Sequence, residues 1–288
     1  MNRKLSVQML LCALLLLISV TSACASSKAP EPKSDPVSPR PDQQSLQLQA
    51  ELQKTIEQIA AAAKGHVGVA AVVLETNTAV SLNPQDHFPM QSVYKLPISM
   101  AVMQQVDAGK LKLEQRVPVT KNDFIGRNAR SPIRDQNPKG VELTLGELVR
   151  FAIVESDGTA SDVLMRVAGG PAAIQTFLTQ LGITDMVVLN SEKQMVQDFQ
   201  LQFKNWATPE AAVALLRALH EKRGLTESSQ ALLVKFMIES TPGPRRLRDF
   251  CLPALLLRTR RELLEAEMAS PPPPTISALS RYPTVVTW

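Results

Sequence analysis

Apolar residues recur along this chain in two periods, and the switches between them outline its elements. Leu48, Leu52, Ile56, Ile59 and Ala63 stand at helical spacing with Gly65 behind them, which predicts an amphipathic helix and its stop. VGVAAVVLE and AVSL then flank the polar ETNT, the pattern of a two-stranded hairpin. From Ser92 the chain turns helical. LPISMAVMQQVDA is apolar nearly all round, as a buried helix should be, and Gly109 ends it. Thr144 and Glu147 form a capping box for a helix to about Glu155. Two helices follow with Gly170-Pro171 between them, then one from Thr208-Pro209 through His220 and another from Ser228 to Glu239. Two strands cannot make an independently stable sheet, so further strands must come from the C-terminal end.

The two ends of the chain differ from this middle. Residues 1–25 open basic, run apolar from Met9 to Val20 and close on Ala23-Cys24-Ala25, which reads as an export signal too short to span a membrane. The expected location is the periplasm or the exterior. A second reading makes Cys24 the lipid-bearing first residue of a lipoprotein. Residues 26–47 are a linker, rich in Pro, Ser and charge over 26–43. The domain proper is 48–247, and 248–288 form an aberrant tail of an Arg/Leu run and four consecutive prolines. With the signal removed only Cys251 remains, so no internal disulfide is expected. The net charge of +4 owes much to arginine in the tail and aromatics are few, which argues against a nucleic-acid partner. His66, His87 and His220 show no ligand spacing, so no metal is expected.

Three places could carry chemistry. In Ser92-Val93-Tyr94-Lys95 a three-residue offset puts a hydroxyl and an amine on one helical face. A lysine whose pKa is pushed down by burial can take the serine's proton, and the helix N-terminus favours developing negative charge. In Ser156-Asp157-Gly158, between two helices, the serine could relay a proton while Asp157 ties the loop to backbone. Glu192, in NSEKQMVQDF, read as an irregular polar loop between helices, could deprotonate a water. Each has a plain alternative: a solvated lysine, ordinary loop chemistry, and a surface carboxylate.

Taken together, in this order and in an exported chain, the three resemble the class A serine β-lactamases. SVYKLP, ESDGTASDVL, QFKNWATP and STPGPRRL look like the extended-spectrum subgroup, and the resemblance runs from about residue 48 to Leu247. It implies an α+β fold of the β-lactamase/transpeptidase type, with an all-helical lobe beside a five-stranded antiparallel sheet. It implies hydrolysis of β-lactam antibiotics by a monomer without cofactor: Ser92 as nucleophile, Lys95 and Glu192 in acylation, Ser156 in proton relay, Glu192 in deacylation. Gly158 stands where the family's substrate-gripping Asn usually is, and Val196 where a water-fixing Asn or His usually is; slow deacylation is the expectation. No Lys-Thr-Gly follows Leu247. Displaced by one base, codons for the tail can spell that motif within a family-like strand and hairpin, so 248–288 reads as a frameshift product. The C-terminal sheet strands are then expected to be missing and the chain to be inactive or nearly so. Two other readings stay open: a penicillin-binding D-alanyl-D-alanine peptidase, which would lack a deacylating glutamate, and a non-catalytic β-lactam-binding surface lipoprotein.

Overall fold

The computed structural model describes residues 43–242 and the backbone of residues 284–287. The export signal, residues 26–42 of the linker and all of the tail but that short strand lie outside the described residues. In chain order the elements are α1 (Gln43–Ala62), β1 (Val69–Val73), β2 (Thr78–Leu82), β3 (Phe88–Pro89), α2 (Lys95–Asp107), β4 (Arg116–Val119), α3 (Pro132–Gln136), β5 (Val141–Thr144) and α4 (Leu145–Val154). Then follow α5 (Gly158–Ala168), α6 (Pro171–Gln180), β6 (Met186–Val187), α7 (Glu192–Gln197), β7 (Trp206–Ala207), α8 (Pro209–His220), α9 (Glu227–Ile238) and β8 (Thr284–Thr287).

The core is organised by α2. Lys95 through Met103 are all buried along it, so it has no solvent face there, and α4, α5, α6 and α9 pack around it. Ile98, Met100 and Met103 meet Leu145, Leu148, Leu164, Ile174 and Leu178 in one continuous apolar cluster. The surrounding helices are each set by their caps. Thr144 and Glu147 exchange side-chain and backbone bonds at the start of α4, and Thr208 accepts from Ala211 N at the start of α8. Gly169 takes φ +104° after α5, the left-handed geometry that a helix stop needs and glycine takes without strain.

β1 and β2 form the expected antiparallel hairpin, Val69 opposite Leu82 and Val73 opposite Thr78. The free side of β1 is covered. β8 pairs there antiparallel, Val69 opposite Thr287 and Val72 opposite Thr284. The expectation that the C-terminal strands are missing is therefore corrected at this one place: a VV pair between threonines can add to an open edge whatever precedes it. α1 lies along β2, but Leu48, Leu52 and Ile59 on its predicted apolar face are exposed. It docks instead by polar contacts, Gln49 Nε2 donating to Ala79 O and Gln53 both donating to Ser81 O and accepting from Ser81 N. It also begins at Gln43, within the segment read as linker.

Two small pairings frame the helical part. β4 pairs with β5, burying Val117 and Val119 between exposed Arg116 and Pro118, and β5 runs straight into the cap of α4. β7 lies between β3 and β6 and brings the segment after α6 back beside the start of α2.

Candidate active site

Ser92 does not lie on the long helix itself. It sits in a 3-10 turn over Gln91–Tyr94 that leads into α2, with Met90 N held by Asn205 O. The tighter turn still brings residues three apart to one side. Lys95, the first residue of α2, points its buried ammonium at the serine, Nζ lying 3.2 Å from Ser92 Oγ.

Ser156 meets them from the α4–α5 break. Its backbone is left-handed at φ +53°, a costly conformation for a residue with a Cβ. The neighbouring bonds impose it. Asp157 N donates to Phe151 O, and the buried Asp157 carboxylate accepts from Ala160 N, Ile133 N and Ser131 Oγ. The turned backbone aims two groups at one ammonium: Lys95 Nζ donates to Ser156 O at 2.8 Å and to Ser156 Oγ at 3.1 Å. Ser156 Oγ in turn lies 2.8 Å from Ser92 Oγ. Burial pushes the Asp157 carboxyl up, against the bonds from Ile133 and Ala160 that favour its ionised form.

Glu192 comes from the far side. Sequence reading put it in an irregular loop, whereas it is the first residue of α7, capped by Ser191 in a box with Gln194. Asp162 on α5 accepts from Glu192 N at 2.7 Å and Lys193 N at 2.9 Å, which ties the start of α7 to the helix behind Ser156. The Glu192 carboxylate reaches within 3.6 Å of Lys95 Nζ, and its side chain keeps 22% exposure against 4% for the lysine. Gly158 opens α5 directly beneath it. A Cβ there would lie 2.7 Å from Glu192 Cγ and 2.6 Å from Ile125 Cδ1, so the bare backbone makes room for the glutamate. Val196 lies on the same short helix, where its Cγ1 would stand 2.7 Å from a Cβ on Gly126.

The four residues singled out for chemistry thus meet around one ammonium. Burial pushes the Lys95 amine down, while the Glu192, Asp157 and Asp162 carboxylates pull it back up. Such an amine is closer to neutrality than a surface lysine and can accept a proton from either hydroxyl. Sequence reading missed two contributors. Tyr94, inside the Ser-x-x-Lys stretch, donates its hydroxyl to Glu192 Oε2 at 2.6 Å. Asp162, four residues after Gly158 and one turn on along α5, offered only its spacing as a signal. Among the described residues no cluster of His, Cys, Asp and Glu could hold a metal ion. His66 pairs with Asp86, and His87 stacks on Trp206.

Comparison with known proteins gives a consistent picture. The profile of the Beta-lactamase enzyme family matches residues 51–251. The chain is 38% identical over 204 residues to the extended-spectrum β-lactamase PER-1 of Pseudomonas aeruginosa, covering 70% of this chain and 66% of PER-1. It is 34% identical over 195 residues to the β-lactamase VEB-1 of the same species, covering 67% of this chain and 65% of VEB-1. It thus spans slightly less than two thirds of the length of either relative. Among solved structures, a β-lactamase from Chitinophaga pinensis superposes with a TM-score of 0.67 at 39% identity, over 69% of this chain and 73% of that one. The TLA-3 extended-spectrum β-lactamase superposes with the same TM-score at 32% identity, over 69% of this chain and 73% of its own.

Proposed function

The chain belongs to the β-lactamase enzyme family, with the helical-lobe and antiparallel-sheet fold of its class A members, and from that premise we propose that it opens β-lactam rings through an acyl-enzyme on Ser92. The observation that carries this is the convergence on Lys95, whose Nζ lies 3.2 Å from Ser92 Oγ, 3.1 Å from Ser156 Oγ and 3.6 Å from Glu192 Oε2.

In acylation Ser92 Oγ bonds to the lactam carbonyl carbon and gives its proton to the base beside it. Lys95 and, through a water, Glu192 are both in reach. The ring C–N bond breaks as the tetrahedral intermediate collapses. The departing nitrogen takes a proton from Ser156 Oγ, which recovers one from Lys95 along the hydrogen bonds described. In deacylation Glu192 takes a proton from a water whose oxygen bonds to the acyl carbon. The bond to Ser92 Oγ then breaks, the serine regains a proton, and a ring-opened acid leaves. A glutamate 3.6 Å from the lysine beside the nucleophile favours hydrolysis over the peptidase reading, in which the acyl-enzyme would persist.

Turnover should be slow. The sequence lacks Lys-Thr-Gly after Leu247, and loss of a single oxyanion donor costs about a hundred- to a thousandfold in rate. Mixing the purified chain with a chromogenic cephalosporin should give a burst of one equivalent, then a slower steady rate, with the acyl mass on Ser92 by intact-protein mass spectrometry. Ser92→Ala should give neither. A parent chain that neither releases chromophore nor gains mass would refute the assignment. An export signal over residues 1–25 supports the proposal that the reaction takes place outside the cytoplasm. Attachment of lipid to Cys24 would be read by metabolic labelling with a fatty acid.

A further inference from the structure

Tyr94 is fully buried, yet its hydroxyl is aimed at the site rather than at backbone. It donates to Glu192 Oε2 at 2.6 Å, and Ser161 Oγ, itself bonded to Gly158 O, stands 3.4 Å behind it. Burial pushes the phenol well above its ordinary value, and the Glu192 and Asp162 charges push it the same way, so it keeps its proton and stays a donor at neutral pH. Lys95 Nζ approaches the same carboxylate oxygen at 3.6 Å. Among the described residues both polar contacts of the Glu192 carboxylate therefore fall on Oε2, which leaves Oε1 for a water. Val196, on the same short helix, has no polar atom to help hold that water.

We propose that Tyr94 is a positioning residue for acyl-enzyme hydrolysis: its buried hydroxyl anchors Glu192 Oε2 so that Oε1 is the base that faces the attacking water. The inference rests on the acyl-enzyme reading above. The step is the one already balanced: Oε1 takes the proton of the water whose oxygen bonds to the acyl carbon, and Ser92 Oγ departs and is reprotonated. Tyr94 gains and loses no proton. It fixes the rotamer of the base, and a base held within hydrogen-bond reach of its water is worth one to several orders of magnitude in rate.

The test is Tyr94→Phe, which removes one oxygen and keeps the ring that fills the core. A deacylation defect has a signature that a packing defect lacks. With acylation intact and deacylation slower, kcat and KM fall together by about tenfold while kcat/KM stays constant. The acyl mass on Ser92 should decay about tenfold more slowly after excess cephalosporin is removed. Tyr94→Phe added to Glu192→Gln should prolong the adduct no further, since the hydroxyl acts only through that carboxylate. Equal adduct lifetimes in parent and Tyr94→Phe, or a fall in kcat/KM alone, would overturn the inference and leave the acyl-enzyme reading standing. A parent chain that forms no adduct on Ser92 would overturn both. If Tyr94→Phe does not fold, 3-fluorotyrosine at the chain's two tyrosines serves instead. The ¹⁹F resonance assigned to Tyr94 should shift on Glu192→Gln, and an unmoved resonance would count against the bond.

Discussion

Gly158 shows how much a missing side chain can decide. A Cβ at this position would stand 2.7 Å from Glu192 Cγ and 3.2 Å from Glu192 Cδ, and neither atom is the free end of a side chain that can swing aside. Restoring the family's usual asparagine by Gly158→Asn should therefore push Glu192 away from Lys95 and Tyr94. Lys95 would still stand beside Ser92 as a base for acylation, so acylation should fall less than hydrolysis does, while the acyl-enzyme should persist at least tenfold longer. Stopped-flow cephalosporin kinetics separate the two phases. An unchanged steady rate would mean that Glu192 has room this structure does not indicate. Lys95 is the other residue whose setting is its function. Its buried amine is held by Ser92, Ser156 and Glu192 together, so Lys95→Ala should cost at least a hundredfold in adduct formation, read by mass against time.

At the scale of elements the site hangs on Asp157. This one buried carboxylate caps α5 through Ala160 N, holds α3 through Ile133 N and accepts from Ser131 Oγ, and those bonds keep Ser156 in its left-handed turn. Asp157→Ala would strand two backbone donors, Ile133 N and Ala160 N, away from water, while Ser131 Oγ keeps Thr159 Oγ1 as acceptor, so a loss of about 3 kcal/mol in stability is expected, with Ser156 relaxing away from Lys95. Urea denaturation measures the first effect and adduct formation the second. The helix from Thr208-Pro209 to His220, the capped start of α4 and the β1–β2 hairpin were all legible in sequence, since each carries its own cap or period. The pairings of β3, β6 and β7 were not, because strands of two residues are too short to show alternation. Glu192 was found as a residue and misplaced as a loop: six residues of helix give less than two turns of pattern, although Ser191 and Gln194 do spell a capping box. Tyr94 was hidden for another reason. A tyrosine in an apolar helix reads as core, and it is core; only its last atom belongs to the site.

For the molecule as a whole, the same buried carboxylates set a conflict between stability and chemistry. Asp162 is raised from 3.8 to about 6, by burial first and then by the Glu192 charge, against the bonds from Lys193 N and Glu192 N and the Lys95 charge. Asp157 is raised as well. Between about pH 4 and 6 the unfolded chain gives up the Asp162 proton while the folded chain keeps it. The folded state binds more protons there, so stability falls as pH rises through that window and the deficit is constant above it. For Asp162 alone the rise corresponds to about 3 kcal/mol. Asp162→Asn removes this titration, so its stability relative to the parent should improve by about that amount between pH 4 and pH 7 in urea melts. The same change should weaken function. An ionised carboxylate is the stronger acceptor for Glu192 N and Lys193 N, and an amide can accept from them only with one oxygen. The variant should be the more stable protein at pH 7 and the slower one in deacylation. The parent's acyl-enzyme should persist longer as pH drops through about 6, where Asp162 takes up its proton and loosens the start of α7. A variant whose stability and adduct lifetime both follow the parent's pH profile would show that Asp162 does not link the two.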